Sequence, residues 1–228
     1  MLNEYDEINK IKEEYKKYIS LLNSKKQLPL ENDLIYIIKL ILFNKQFFIK
    51  CDSVNMYYKN HMIYDLLMII HSLTNNSVIN FYQLYRSFIE NYIRAMLDLQ
   101  DNDETGVNAI FKLFEDKYNI NNNNKEFIAY IKGEYSIACD YVHSNLRSNV
   151  SVYLFYKDIL ESDEMNEKNL KKLILKIKTL LIKIVKFSID VDIYKIDSLY
   201  YRQYMQLEFL IGNNLFKHFK NKINEIEK

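Results

Sequence analysis

Four residues restrict what this chain can fold into. Across 228 residues there is one proline, Pro29, and three glycines, Gly106, Gly133 and Gly212. Tight hairpin turns rely on residues that accept positive φ or a preset φ, glycine and proline above all. A chain so poor in both cannot supply the turns of a many-stranded sheet, and its composition favours long helices. Hydrophobic residues make up 49% of the sequence, enough for a sizeable core, and the length suits one large domain. The expectation is an all-α helical bundle with additional N- and C-terminal helices, in a single domain over residues 1–228.

Periodicity places the helices. Tyr5, Ile8, Ile11, Tyr15, Tyr18, Ile19 and Leu22 follow three-four spacing, which predicts a helix over about 3–25. Pro29 interrupts it, and a second helix, apolar over most of its circumference, runs over about 31–51. A third is predicted over 54–73. Thr74 to Ser77 then serve as turn and N-cap for a long fourth helix over 78–100. After the acidic loop at 101–106 come a short helix over 107–118 and a sixth over 125–145. A short segment over 152–160, a long helix over 168–189 and a last helix over 198–227, with Gly212 inside it, complete the pattern. The second, fourth and sixth helices are expected to form the bundle core.

Several function classes drop out early. Net charge is +1, so no global field steers the chain to nucleic acid. Cys51 and Cys139 are too few for a disulfide framework and lack metal spacing, which suits a reducing cytoplasm. His61, His71 and His218 lie without paired-ligand spacing, so no metal site is expected. The polar, amphipathic N-terminus does not read as a signal peptide, and the longest apolar run, Leu34 to Phe43, is too short to span a bilayer. No phosphate loop, dinucleotide fingerprint or nucleophile elbow occurs, and no cofactor is implied. The lysines at 168, 171, 172, 176, 178, 183 and 186 form a basic strip, read first as a solvated helix face.

The chemistry concentrates in two apolar segments, Phe81 to Leu99 and Glu134 to Arg147. Each carries ionisable residues among aromatics: Arg86 and Glu90 in the first, His143 in the second. A charge enclosed in an apolar helix costs several kcal/mol unless it is paired. Arg86 and Glu90 are four apart and share a face. Arg94 lies one turn further on. On the sixth helix, Tyr135, Ser136 and Cys139 share a stripe with His143. Asp140 is placed to fix the imidazole tautomer, and Asn145 and Arg147 follow at the helix end. Only four basic residues are arginine, and Arg86, Arg94 and Arg147 are three of them. Arginine braces a phosphate with two parallel hydrogen bonds, and histidine moves protons near neutral pH. Arg86, Glu90 and His143 are therefore expected to converge, as either a structural lock or an active site. As a site they would suit metal-free phosphodiester cleavage by an attacking 2′-hydroxyl. Arg94, Ser136, Asp140, Asn145 and Arg147 would bind or orient the substrate.

The segment Arg86-Ser-Phe-Ile-Glu90, followed by Tyr135-Ser-Ile-Ala-Cys-Asp-Tyr-Val-His-Ser-Asn145, resembles the HEPN superfamily over about Ile63 to Asn149. More narrowly, it is similar to divergent HEPN-like proteins found among bacterial abortive-infection genes. The resemblance implies a HEPN-like core over about 31–149, followed by C-terminal helices over about 150–228. It also implies frequent homodimerisation and, in many members, metal-independent endoribonuclease activity in anti-phage or toxin–antitoxin systems. RNA is then the expected substrate, and a protein partner or antitoxin a further one. The best-known HEPN motif has an arginine four to six residues before a histidine on one helix. Here Arg147 follows His143, and Arg86 lies on a different helix. The alternative is a non-catalytic helical interaction module: a sensor, regulator or immunity-type protein. A homodimer is also expected because Tyr200, Tyr201, Tyr204, Phe209, Leu210, Leu215 and Phe219 exceed what one bundle core would hold.

Overall fold

The computed structural model describes residues 2–50, 55–119, 124–143, 151, 153, 157 and 165–226. Those residues form ten α-helices and no strand, so the protein is all-α, as its shortage of turn residues requires. Two compact units are present, Met1–Ser53 with Lys171–Lys228, and Val54–Leu170.

In the first unit, α1 (Leu2–Lys25) buries Ile8, Ile11, Ile19 and Leu22, the stripe its spacing predicts. α2 (Glu31–Lys45) starts directly after Leu30, whose φ of 62° turns the chain beyond Pro29, and acids at Glu31 and Asp33 suit its N-terminus. It is buried nearly all round and runs on as one π-helical segment, Gln46–Lys50. α7 (Glu167–Val191) buries one face, including Ile174, Ile177, Leu181 and Ile184, and exposes lysines on the other. Lys178 leaves that basic strip to pair with Asp33 of α2 at 2.6 Å.

The single last helix predicted over 198–227 is three helices: α8 (Ile193–Leu199), α9 (Tyr204–Ile211) and α10 (Asn213–Ile226). Apolar spacing continues across the breaks, so periodicity alone does not reveal them. The backbone does: Arg202 has φ 59° and Gly212 has φ 79°, ψ 161°. α9 packs on α1, α2 and α10. Tyr200, Leu210, Leu215 and Phe219 are buried by this packing, Tyr204 and Phe209 are half-buried, and Tyr201 alone of the seven stands exposed. The surplus apolar area used to expect a dimer is therefore largely absorbed within the chain.

Gly212 occupies backbone space that essentially only glycine enters, and an added Cβ would sit 3.3 Å from the Tyr36 hydroxyl. That hydroxyl donates to the Ile211 carbonyl at 2.6 Å, which restricts its retreat. Gly212→Ala should cost about 1–3 kcal/mol, read from urea denaturation. An unchanged midpoint would show that the α9–α10 junction relaxes freely.

The second unit centres on α4 (Val78–Leu97), which packs against α3 (Met56–Thr74), α5 (Val107–Tyr118) and α6 (Lys125–His143). α3 and α4 form a helical hairpin, and the Ser77 side chain accepts from the Asn80 amide at 3.1 Å, the N-cap the sequence announces. α4 ends at Asp98, which has left-handed φ 54°. Phe81, Tyr85, Phe88 and Tyr92 form its fully buried aromatic face, joined by Phe114 of α5. Most of the segment predicted over 152–160, and residues 144–145 of the predicted sixth helix, lie outside the described residues.

Candidate functional site

α4 carries a polar face as well as its aromatic one. Gln83, Arg86, Ser87, Glu90 and Asn91 fall at i, i+3, i+4, i+7 and i+8 and line a cleft of about 240 Å³ with Val142 of α6. In linear order the aromatics between these residues mask this face, and the segment reads as apolar.

Two contacts fix α6 against α4. The Tyr85 hydroxyl donates to Glu134 Oε2 at 2.8 Å, and the Tyr82 and Tyr141 rings stack with centroids 3.8 Å apart. Burial pushes the Tyr82 and Tyr85 phenols well up, so both remain neutral donors at any ordinary pH. These contacts bring Tyr135 to Arg86, whose Nε donates to the Tyr135 hydroxyl at 3.1 Å. That bond is the main cause holding the Arg86 guanidinium above its ordinary value. Burial pushes the Tyr135 phenol up, and Arg86 pulls it back. Cys139, one turn beyond Tyr135, also lies within electrostatic reach of Arg86.

The ion partner of Glu90 is Arg94 rather than Arg86. Arg94 Nη2 donates to Glu90 Oε1 at 3.2 Å and to the Thr105 carbonyl at 2.6 Å, while Nη1 donates to Asp103 Oδ1 at 3.0 Å. Asp103 in turn accepts from the Thr105 amide at 3.0 Å. Arg94 is thus a buried clamp between α4 and the loop before α5, and it sets the position of Glu90 in the cleft wall.

Of the remaining expected site residues, Ser136 and Asp140 are exposed on α6. His143 closes α6 immediately after the cleft-lining Val142, and its side chain lies outside the described residues, as do Asn145 and Arg147. The expected meeting of Arg86 with His143 therefore falls outside them too.

One participant escaped the sequence reading. Asp65 of α3 is 5% exposed, and its Oδ2 accepts from Ser87 Oγ at 2.8 Å and Asn91 Nδ2 at 2.7 Å. Both donors line the cleft, so Asp65 sets its wall from behind. Its signal was present: an aspartate inside the apolar run Met62 to Ile70, the same anomaly that marks Arg86.

Burial raises the Asp65 carboxyl, and the bonds from Asn91 and Ser87 only partly oppose this. A raised folded value means that this group's stabilisation is complete below the unfolded carboxyl value, about 3.9, and is lost as pH climbs through the folded one. Asp65→Asn keeps an acceptor and removes the titration. The stability of the variant relative to wild type should therefore grow from pH 3 to pH 7 in urea denaturation. A difference that shrinks over that range would reverse the sign.

Among the described residues no group of His, Cys, Asp and Glu could hold a metal ion, and no helix is long and apolar enough to cross a membrane. The chain matches no family model, no curated protein and no solved structure.

Proposed function

We propose that this protein is a HEPN-like endoribonuclease of an anti-phage or toxin–antitoxin system, cleaving RNA without a metal through Arg86, Glu90 and His143. The observation that carries this reading is the cleft itself: Arg86 and Glu90 share its wall, and α6 contributes Val142 to it one residue before His143. In this reading Arg86 braces the scissile phosphate, its charge maintained and its Nε side anchored by Tyr135. His143 moves the proton between the 2′-hydroxyl and the leaving oxygen. Glu90, held by Arg94, orients these groups.

The test is cleavage of single-stranded RNA in excess EDTA. Wild type should cut, and His143→Ala should cut at least about 10²-fold more slowly while keeping its helical circular dichroism. Equal rates would rule out His143 as the proton carrier. A homodimer belongs to the same proposal, and light scattering should then give twice the 27.6 kDa chain mass. A constant monomer mass would leave any site to a single copy.

A second reading has its own support. Both terminal nitrogens of Arg94 are engaged by protein acceptors, as in a structural lock. A non-catalytic interaction module would then tolerate His143→Ala and show no cleavage in either form.

A further inference from the structure

A second pocket, of about 370 Å³, opens between the end of α3 and the start of α4. It falls within the usual range for small-ligand sites, about 300–1,000 Å³. Met68, His71, Asn75, Asn80, Gln83 and Leu84 line it, with no carboxylate, lysine or arginine among its lining residues. Gln83 also lines the Arg86 cleft, so the two hollows adjoin along one face of α4. The side-chain amides of Asn80 and Gln83 are exposed and bond to no described residue. Asn75 Nδ2 lies 3.2 Å from His71 Nε2.

These groups select a chemistry. An anion finds no lysine or arginine in this pocket, and a hydrocarbon would strip water from the amides without replacing its hydrogen bonds. A neutral, planar ring with donors and acceptors on its edge satisfies both parts. Each amide offers a donor and an acceptor to that edge, as Asn and Gln do to base edges elsewhere. Met68 and Leu84 offer apolar surface to the ring face. One turn along α4, Arg86 supplies the cation that the neighbouring phosphate needs.

We infer that this pocket is a nucleobase subsite, and that with the Arg86 cleft it takes one nucleotide of a single-stranded RNA. This rests on the function proposed above, but binding can be measured without cleavage. The full chain would be titrated calorimetrically with the four ribonucleoside 5′-monophosphates and with ribose 5-phosphate as the base-free probe. At least one nucleotide should bind more tightly than ribose 5-phosphate. Asn80→Leu should weaken that nucleotide roughly 5- to 10-fold and leave ribose 5-phosphate unchanged. Arg86→Ala should weaken both. The inference is overturned if no nucleotide exceeds the base-free probe, or if Asn80→Leu and Gln83→Leu both leave nucleotide affinity unchanged. Nucleotide binding with these dependences but no RNA cleavage would sink the nuclease reading and sustain the subsite. RNA cleavage indifferent to base and to Asn80 would do the reverse.

Discussion

Arg94→Ala should destabilise the protein by about 3 kcal/mol, the largest loss of stability expected from a polar substitution here. The Arg94 side chain is 8% exposed and donates to Glu90, Asp103 and the Thr105 carbonyl. Its removal leaves two carboxylates facing each other without their shared cation. Glu90 and Asp103 keep side-chain exposures of 26% and 24%, so water reaches both and the cost falls at the low end for a broken buried pair. Arg94→Lys separates charge from geometry. It keeps the cation but loses the fork that reaches three acceptors at once, and should cost less than the alanine variant, about 1–2 kcal/mol. Urea denaturation reads both. A loss under about 1 kcal/mol for Arg94→Ala would mean that the clamp behaves as an ordinary surface ion pair.

Arg86→Ala should have the converse profile, with a larger effect on activity than on stability. Arg86 is half-buried on the cleft wall, and its Nε bond to the Tyr135 hydroxyl contributes about 1 kcal/mol to folding. Withdrawing a donor aimed at a developing phosphate charge costs about 10²–10³ in rate. RNA cleavage should therefore fall by at least that lower bound, and Tyr135→Phe, which removes the hydroxyl that Arg86 Nε donates to but keeps the arginine, should give a smaller loss. A rate unchanged in Arg86→Ala at unchanged stability would remove Arg86 from the chemistry.

How far the sequence foretold these contacts depends on what kind of signal each left. α5, Val107–Tyr118, and the Ser77 cap were readable to the residue, because polar loops and a capping side chain act locally. The burial of α2 was also readable, but its partners were not. A helix that is apolar all round announces burial without saying against what. α2 packs on α1 and α9 in the first unit, whereas α4 and α6 belong to the second. The breaks at Arg202 and Gly212 were missed because the three-four spacing runs through them and only backbone dihedrals mark the turn.

The same distinction governs the site. Glu90 has an arginine four residues away on each side, and helix geometry cannot choose between Arg86 and Arg94. The loop at 103–105 decides, since Asp103 and the Thr105 carbonyl supply the further acceptors that hold Arg94. Arg86 Nε instead donates to the hydroxyl of Tyr135, an aromatic that reads in sequence as core. A charge among apolar residues also marks Asp65 in α3. Lys59, followed by Asn60 and His61, leaves no such signal, yet it is 2% exposed and paired with Asp98 at 2.9 Å.

The central claim is that Arg86 and His143 direct a 2′-hydroxyl onto its own phosphate. A DNA oligonucleotide carrying one ribonucleotide, incubated with the protein in EDTA, tests it most directly. Cleavage only on the 3′ side of that ribose, leaving a 2′,3′-cyclic phosphate in wild type and intact strand in Arg86→Ala and His143→Ala, is the predicted result. An uncut strand, or cuts at deoxyribose positions, would contradict it.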